Sequence, residues 1–398
     1  MSITIEERLA SKKVALLSYG FRPFFLASAL WAVIALALWM VVLKTGTALP
    51  SRFDPLAWHI HEMFFGFVMA AIAGFLLTAI PNWTGRQPVS GALLGLLAIV
   101  WLLGRVVCLI SVWLPPWLSI ATDLAFPILL ASIVAREIIT ANSQRNMMMI
   151  APVAVLGVAN LLMHLEAIGI DISEGLGWRL ALSAILVLVS VIGGRIIPNF
   201  THNWLSVRQV ERPQVVRGPV DRIALGALHA GLFAWAFLPT LWLAGITLVL
   251  GSLLNLWRLL RWHGVKTTAE PLLSILHIGY GWLCLGAGLL GVSVLSPAVP
   301  PSAGIHTLTV GAIGTMILAV MTRVTRGHTG GVLSADRVTV ALYLCVFGAA
   351  ILRVTAAYFT EFLMTLLVGA AVLWIAAFLL FIVRYGAMLC LSNKHMQD

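Results

Sequence analysis

The chain has 398 residues, of which 61% are hydrophobic and 10% are charged. Soluble domains average about half apolar and about a quarter charged residues, so this composition excludes a soluble protein and indicates a polytopic membrane protein. The net charge of +10 is interpreted as a signal of membrane topology, and no nucleic-acid partner is expected. No polar stretch is long enough to fold separately, so residues 1–398 are predicted to form a single transmembrane domain in the lipid bilayer.

Twelve apolar runs of roughly 20 residues, the length that crosses a bilayer as a helix, predict an all-α fold with twelve transmembrane helices. In chain order the predicted spans are Leu17–Leu43, Trp58–Ile80, Ala92–Val112, Leu118–Ile139, Met148–Ile168, Trp178–Phe200, Ile223–Leu238, Leu241–Leu260, Leu272–Leu295, Gly304–Val324, Val338–Tyr358 and Phe362–Leu389. A very tight turn must separate the seventh span from the eighth. The first run is too long for a signal peptide and has no small-residue cleavage site, so it is expected to remain as a span.

Positive charges predict the orientation of these spans. If the N-terminus is cytoplasmic, three of the 25 lysines and arginines fall outside and three fall within spans, which leaves 19 at the cytoplasmic face. The six exceptions are Lys44, Arg52 and Arg179 outside, and Arg105, Arg195 and Arg353 within spans. An excess of Lys and Arg is typical of cytoplasmic loops, so both termini are predicted to be cytoplasmic.

Similar words recur at regular offsets and predict three pseudo-repeats of four helices. The word Ile-Pro-Asn closes both the second and the sixth predicted spans. Arg105 and Arg353 are 248 positions apart, and His59 and His306 differ by 247. A unit of about 124 residues accounts for these offsets, and such repeats are common in membrane folds. The predicted units are residues 1–143, 144–266 and 267–398.

Histidines at the ends of two spans are the first candidate functional groups, because ionisable side chains are costly inside a bilayer. His59 and His61 open the second span near the predicted outer face, and His306 opens the tenth span at the same depth. Neutral imidazole is the commonest metal ligand in proteins. Residues two apart on a helix point about 200° apart, so His59 and His61 are predicted to serve two different centres.

Three further histidines are candidate metal ligands. His229 and His277 lie several residues inside the cytoplasmic ends of the seventh and ninth spans, so they are predicted to share a layer. His164, near the outer end of the fifth span, is either an alternative ligand or a residue that bonds a neighbouring helix.

Two charged residues near these histidines are candidates for supporting roles. Glu62 is predicted to accept a proton from a ligand histidine. Arg105 is predicted to pair with a haem propionate or, alternatively, with Asp123 or another acid. The cysteines form no CxxC pair, which predicts neither a disulfide framework nor a thiolate metal site. They are Cys108, Cys284, Cys345 and Cys390.

Six stretches, in order along the whole chain, are similar to those of a known family. They are Phe21–Phe25 (FRPFF), Trp58–Met63 (WHIHEM), Gly74–Gly85 (GFLLTAIPNWTG), Gly194–Phe200 (GRIIPNF), His306–Met316 (HTLTVGAIGTM) and Met321–Gly330 (MTRVTRGHTG). In these words the chain resembles the NnrS family. The resemblance implies a bacterial inner-membrane protein that contains haem, expected to be b-type, and copper. It also implies that the protein is made in response to nitric oxide and protects against nitrosative stress.

The arrangement of the spans is also similar to the catalytic subunit of haem–copper oxidases, which has twelve helices in three quartets. That family carries its His-x-His on the tenth helix and a single His on the second, whereas here the two are exchanged. The oxidase copper ligands on the sixth and seventh helices are missing: His202 lies at the cytoplasmic boundary, and the seventh span has only His229. This similarity concerns the fold, and oxygen reduction with proton pumping is not expected.

These features favour a haem–copper membrane protein that binds or turns over nitric oxide, with no catalytic residue assigned. His59 or His61 is predicted to pair with His306 on a haem near the outer face. Copper is predicted at His229 and His277, with His164 as the alternative. If the protein is an enzyme, we expect an oxidoreductase acting on nitric oxide, supplied by an unknown electron donor such as a quinol.

Two other functions are compatible with the sequence. Twelve spans with repeats are also typical of secondary transporters. Ion-coupled carriers commonly place a carboxylate near the middle of the membrane, whereas Glu62, Asp123 and Glu166 all lie toward the outer end of their spans, which argues against transport. A haem-containing sensor without catalytic activity would show the same sequence features as the leading hypothesis.

Overall fold

The computed structural model describes residues 15–209 and 218–391. Within these two ranges the regular structure is helical, and twelve helices are long and apolar enough to cross a membrane. They are Phe21–Thr45 (α1), Pro55–Thr84 (α2), Ala92–Leu109 (α3), Pro116–Thr140 (α4), Gln144–Ala167 (α5), Leu176–Val207 (α6), Pro219–Phe237 (α7), Trp242–Leu260 (α8), Pro271–Leu295 (α9), Pro301–His328 (α10), Arg337–Thr355 (α11) and Thr360–Cys390 (α12). The predicted all-α fold with twelve spans is confirmed. The side to which each terminus belongs stays a prediction.

The largest difference from the predicted spans is at the end of α6, which was expected to stop at Phe200. The helix instead continues through Pro198 to Val207. Proline removes one backbone donor, but inside a helix bundle neighbouring groups compensate for the lost hydrogen bond. The tight turn predicted between α7 and α8 is present, because the N–H of Leu241 donates to the carbonyl of Leu238 at 3.0 Å.

The last span packs against the first. Arg22 in α1 donates to the main-chain carbonyls of Met388 and Leu389 in α12, at 3.1 and 3.0 Å. Nearer the other end of the same two helices, the indole N–H of Trp374 donates to the carbonyl of Ala32 at 3.2 Å. Contacts of this kind satisfy polar groups that would otherwise face hydrocarbon, and they hold the two ends of the chain together.

An ion pair recurs at corresponding places in the three predicted four-helix units. In each unit it joins a residue at or before the start of the third helix to one near the end of the fourth. The pairs are Arg86 with Glu137, Asp221 with Arg258, and Asp336 with Arg384. The recurrence supports the three-fold repeat, which stays a prediction.

Among the described residues, two spans contain a π-helical segment, at Glu62–Val68 in α2 and Thr307–Gly314 in α10. The first segment directly follows His61 and the second directly follows His306. Such segments are rare and are often found at functional sites. Their position indicates a functional site at the histidine-bearing ends of α2 and α10.

Candidate metal centre

The start of α2 is fixed by a capping residue, and this sets the position of its histidines. The carboxylate of Asp54 accepts hydrogen bonds from the N–H groups of Leu56 and Ala57, both at 2.9 Å. Pro55 occupies the first helical position, where its missing donor costs nothing. The first two turns of α2 therefore form at a defined place, and His59 and His61 lie within them.

The imidazole of His61 is fully buried and has a polar partner on each nitrogen. Nδ1 lies 3.1 Å from Oε1 of Glu62, and Nε2 lies 3.1 Å from Oδ2 of Asp123. The side-chain amide of Asn160 lies 3.3 Å from the same Nε2. These contacts fix the orientation of the ring, as carboxylates commonly do for histidines that bind metals.

Arg105 lies between the two carboxylates that contact His61. Its Nη1 donates to Glu62 at 2.9 Å, and its Nη2 forms an ion pair with Asp123. All three side chains are almost completely buried. Removing one partner from such a network leaves an uncompensated charge, so the three residues depend on each other. Two partners were predicted for Arg105, a haem propionate or an acidic side chain, and the structure shows the acidic side chains Glu62 and Asp123.

His164 and Cys108 complete a group of four possible metal ligands. Nε2 of His164 lies 3.0 Å from Oδ2 of Asp123, and its ring centroid lies 5.3 Å from that of His61. One donor atom from each of the four residues lies within 4.8 Å of the others. We call His61, Cys108, Asp123 and His164 the His61 cluster. Donors held by one ion at about 2.0 to 2.3 Å in a tetrahedron lie about 3.3 to 3.8 Å apart, so a modest contraction of the cluster would place its donors around one metal ion.

Cys108 is a possible metal ligand that the sequence did not indicate. The absence of a CxxC pair predicted no thiolate metal site, yet its thiol lies beside two imidazoles and a carboxylate. The reason is that the other donors come from three different helices, a proximity that no local spacing can reveal. A weak signal existed in that Cys108 follows Arg105 by three residues and Asn160 precedes His164 by four, so each pair shares one helix face.

His59 points away from the His61 cluster. Its ring stacks on Trp39 in α1, with centroids 4.7 Å apart and planes at 15°. Its Nδ1 is buried and has no hydrogen-bond partner within residues 15–209 and 218–391. Both His59 and His306 lie within electrostatic reach of Arg353, and His306 lies within reach of His59.

His306 is oriented by its own helix. Its Nδ1 lies 2.8 Å from the main-chain carbonyl of Ser302 and can only donate to it. Nε2 then carries the lone pair and is the nitrogen available to a metal. The unpartnered nitrogen of His59 and Nε2 of His306 are the atoms that would hold a haem. We call these two residues the His59–His306 pair.

The structure does not bring His229 and His277 together. His229 lies 2.8 Å from the hydroxyl of Ser190, whereas His277 lies 3.4 Å from that of Thr201. Ser190 and Thr201 are eleven residues apart on α6, which corresponds to about 16 Å along a helix. Two histidines at such different depths do not ligate one ion, so the shared layer predicted from the sequence is wrong. His164, the alternative, is the one that joins a cluster.

Both histidine sets lie in the part of the chain that matches a known protein family. The sequence model of one family, described as NnrS protein, matches residues 15–392. The matched region begins before α1 and ends after α12, so it includes every residue of the His61 cluster and of the His59–His306 pair. No curated protein matches the chain.

Proposed function

Because this chain belongs to the NnrS family, we propose that it is a haem- and copper-containing protein of the bacterial inner membrane that binds or turns over nitric oxide. Protection against nitrosative stress is part of the same proposal. The family match and the twelve spans supply the membrane setting. The two histidine sets support the metal chemistry.

One observation carries the proposal: α2 directs two histidines, two positions apart, to different surroundings. His61 contacts the carboxylates of Glu62 and Asp123, whereas the ring of His59 stacks on that of Trp39 in α1. Structural histidines in a membrane helix need one hydrogen-bond partner each. Since His59 and His61 point to different sides of α2, each of them can bind a separate metal-containing group.

His59 and His306 are the residues that would hold the haem. When bound, haem supplies an iron whose behaviour depends on its axial ligands and on the polarity of its pocket. Trp39 holds the ring of His59 by stacking, and the carbonyl of Ser302 fixes the tautomer of His306. Farther into the membrane, an apolar cleft of about 80 Å³ opens between α2, α6 and α10. Its lining includes Val68, Phe75, Val189, Ile313 and Met316.

The His61 cluster is the place where copper would bind. Copper supplies a redox-active ion that imidazole and sulfur ligands favour. Glu62 holds the proton on Nδ1 of His61, so that Nε2 faces the other donors. His61 and Glu62 are both 0% exposed, which excludes bulk water. Nitric oxide is small and apolar and enters the bilayer, so a sealed site of this kind needs no aqueous channel.

A secondary transporter is the competing proposal, favoured by the twelve spans and the predicted repeats. An ion-coupled carrier needs a carboxylate that gains and loses its ion during transport. Glu62 and Asp123 instead share the guanidinium of Arg105 in a buried network. This arrangement favours fixed ligands over a carrier. The leading proposal includes two modes of action, an oxidoreductase supplied by a quinol or another electron donor and a haem-containing sensor.

Visible absorption spectra of the purified full-length protein, oxidised and reduced with dithionite, test the proposal together with metal analysis. We expect the bands of b-type haem, a change on addition of nitric oxide, and bound copper. Protein purified from haem-replete cells without haem bands would overturn the haem proposal. Haem that is present but unaffected by nitric oxide in both oxidation states would confine the haem to electron transfer.

A further inference from the structure

Cys108 is the member of the His61 cluster whose chemistry decides what kind of metal site this is. Its side chain is 0% exposed, and its thiol lies within 4.8 Å of the donor atoms of His61 and His164. Its main-chain carbonyl accepts hydrogen bonds from the hydroxyls of Ser51 and Ser111, at 2.8 and 3.2 Å. These bonds fix the last turn of α3, so the thiol is held in place.

The donor types in the cluster separate it from sites for hard cations. Magnesium and calcium take oxygen ligands, whereas two imidazoles and one sulfur suit copper or zinc. Asp123 is the least available of the four donors because Arg105 and Asn160 already bind its oxygens. The remaining three donors form the set that characterises copper–thiolate centres.

The charge balance of the cluster favours a thiolate once a divalent ion is bound. With neutral imidazoles, the carboxylates of Glu62 and Asp123 exceed the single guanidinium of Arg105 by one negative charge. Ionisation of Cys108 raises the excess to two, which a divalent ion balances. Buried charge without such balance is costly, so the thiolate and Cu²⁺ are mutually stabilising in this cluster.

We propose that Cys108 binds copper as a thiolate, together with His61 and His164, while Asp123 stays paired with Arg105. This inference rests on the proposed copper content of the protein. On binding, the S–H bond breaks, a Cu–S bond forms and the proton is released to solvent. No electron moves in this step.

X-ray absorption at the copper edge tests the inference on the full-length protein loaded with Cu²⁺, because the method detects neighbours of copper and ignores haem iron. We expect one sulfur neighbour at about 2.3 Å, the length of a metal–thiolate bond. Cys108→Ser should remove that sulfur shell. Cys284→Ser is the matched control, since Cys284 is also a buried, free cysteine within a span, and it should keep the shell.

The possible outcomes distinguish a failure of the proposed role of Cys108 from a failure of the proposed copper content. Copper bound only by nitrogen and oxygen in the unsubstituted protein, or a sulfur shell that persists in Cys108→Ser, would overturn the role of Cys108 and leave copper binding intact. Loss of all copper in both Cys108→Ser and Cys108→Ala, with haem retained as a sign of correct folding, would support the role. Failure of the unsubstituted protein to bind copper would overturn both.

Discussion

His59 and His61 are two residues apart on α2 and, within the part of the chain that the structure describes, share no hydrogen-bond or stacking partner. His59 stacks on Trp39 at a centroid distance of 4.7 Å. His61 stacks on Phe53 at 4.6 Å and contacts carboxylates at both nitrogens. A rotation of about 200° between the two positions therefore separates the polar, buried His61 cluster from the aromatic ring of Trp39.

We predict that His59→Ala and His61→Ala have different effects on the bound metals. His59→Ala should lose haem and keep copper, because haem is the only metal-containing group that His59 is proposed to bind. His61→Ala should keep haem and lose copper. Haem absorption and copper content, measured on the same preparations, check both results.

His306→Ala is the partner control for this comparison and should match His59→Ala. If His59→Ala and His61→Ala remove the same group, or if one of them removes nothing, two separate centres are excluded. One haem with a spare histidine would then describe the protein better.

Arg353 is predicted to take the propionate role that the sequence analysis gave to Arg105. Arg105 is occupied by Glu62 and Asp123, whereas no carboxylate in the described part of the chain acts on Arg353. Because α11 packs against the His306-bearing end of α10, a haem carboxylate can pair with its guanidinium. Arg353→Gln should weaken haem binding about tenfold or more, since a hydrogen bond to a charged group contributes about 1.5–3 kcal/mol.

Haem dimethyl ester, which lacks free carboxylates, makes this test specific. The unsubstituted protein should bind haem more tightly than the ester, and Arg353→Gln should bind the two equally. Arg179→Gln, which removes an arginine that bonds main-chain carbonyls of Glu174 and Ala236, should retain the preference. An undiminished preference in Arg353→Gln would show that Arg353 does not bind a propionate.

The spans could be predicted because the bilayer allows few solutions. Backbone groups in hydrocarbon must bond within the segment, so a long apolar run becomes a helix. The position of each helix end is decided by local contacts, and this is why α6 passed its predicted end at Phe200. The hydropathy of the chain contains no comparable information on which helices become neighbours.

The sequence predicted those features of the site that depend on a single helix, and it did not predict contacts between helices. The divergence of His59 and His61 follows from helix geometry, and the depth of His164 followed from its place in α5. The association of Cys108 with His164 depends on how α3 and α5 pack around α2, which no spacing in the sequence determines. The same limit explains the failed pairing of His229 with His277, whose similar distance from the ends of their spans hid a difference in depth.

Arg105→Met is predicted to destabilise the protein strongly. It leaves the carboxylates of Glu62 and Asp123 buried without a counter-charge, and breaking a buried pair in this way costs about 3–5 kcal/mol. Arg86→Met should cost about 1 kcal/mol or less, because Arg86 is 40% exposed and its partner Glu137 also pairs with Arg136. The free energy of unfolding in mixed detergent micelles gives both values.

Neutralising the carboxylates distinguishes lost charge balance from lost packing. The triple variant with Glu62→Gln and Asp123→Asn added to Arg105→Met should recover part of the lost stability, because no charge is then left unpaired. If the triple variant is less stable than Arg105→Met, the network contributes through its hydrogen bonds, and charge compensation is not its main role.

Asp336, just before α11, should make stability depend on acid pH. Burial alone would raise the pKa of its carboxyl group, but hydrogen bonds from Thr339 and Arg384 and the charge of Arg326 hold that pKa well below its usual range. Thr339 N–H donates to the carboxylate at 2.8 Å, and Arg384 donates at 2.6 Å. Since the pKa is lower in the folded state than in the unfolded state, protons bind the unfolded chain preferentially as the pH falls.

The contribution of Asp336 is therefore complete above the unfolded pKa of about 3.9 and is lost as the pH falls below it toward the folded value. Asp336→Asn should lower the free energy of unfolding at neutral pH and reduce its slope in acid, measured as denaturation midpoints across a pH series. Glu361→Gln, at an exposed position near the start of α12, controls for the loss of one carboxylate. An acid slope that is equally steep in Asp336→Asn and in the unsubstituted protein would assign the acid sensitivity to other groups.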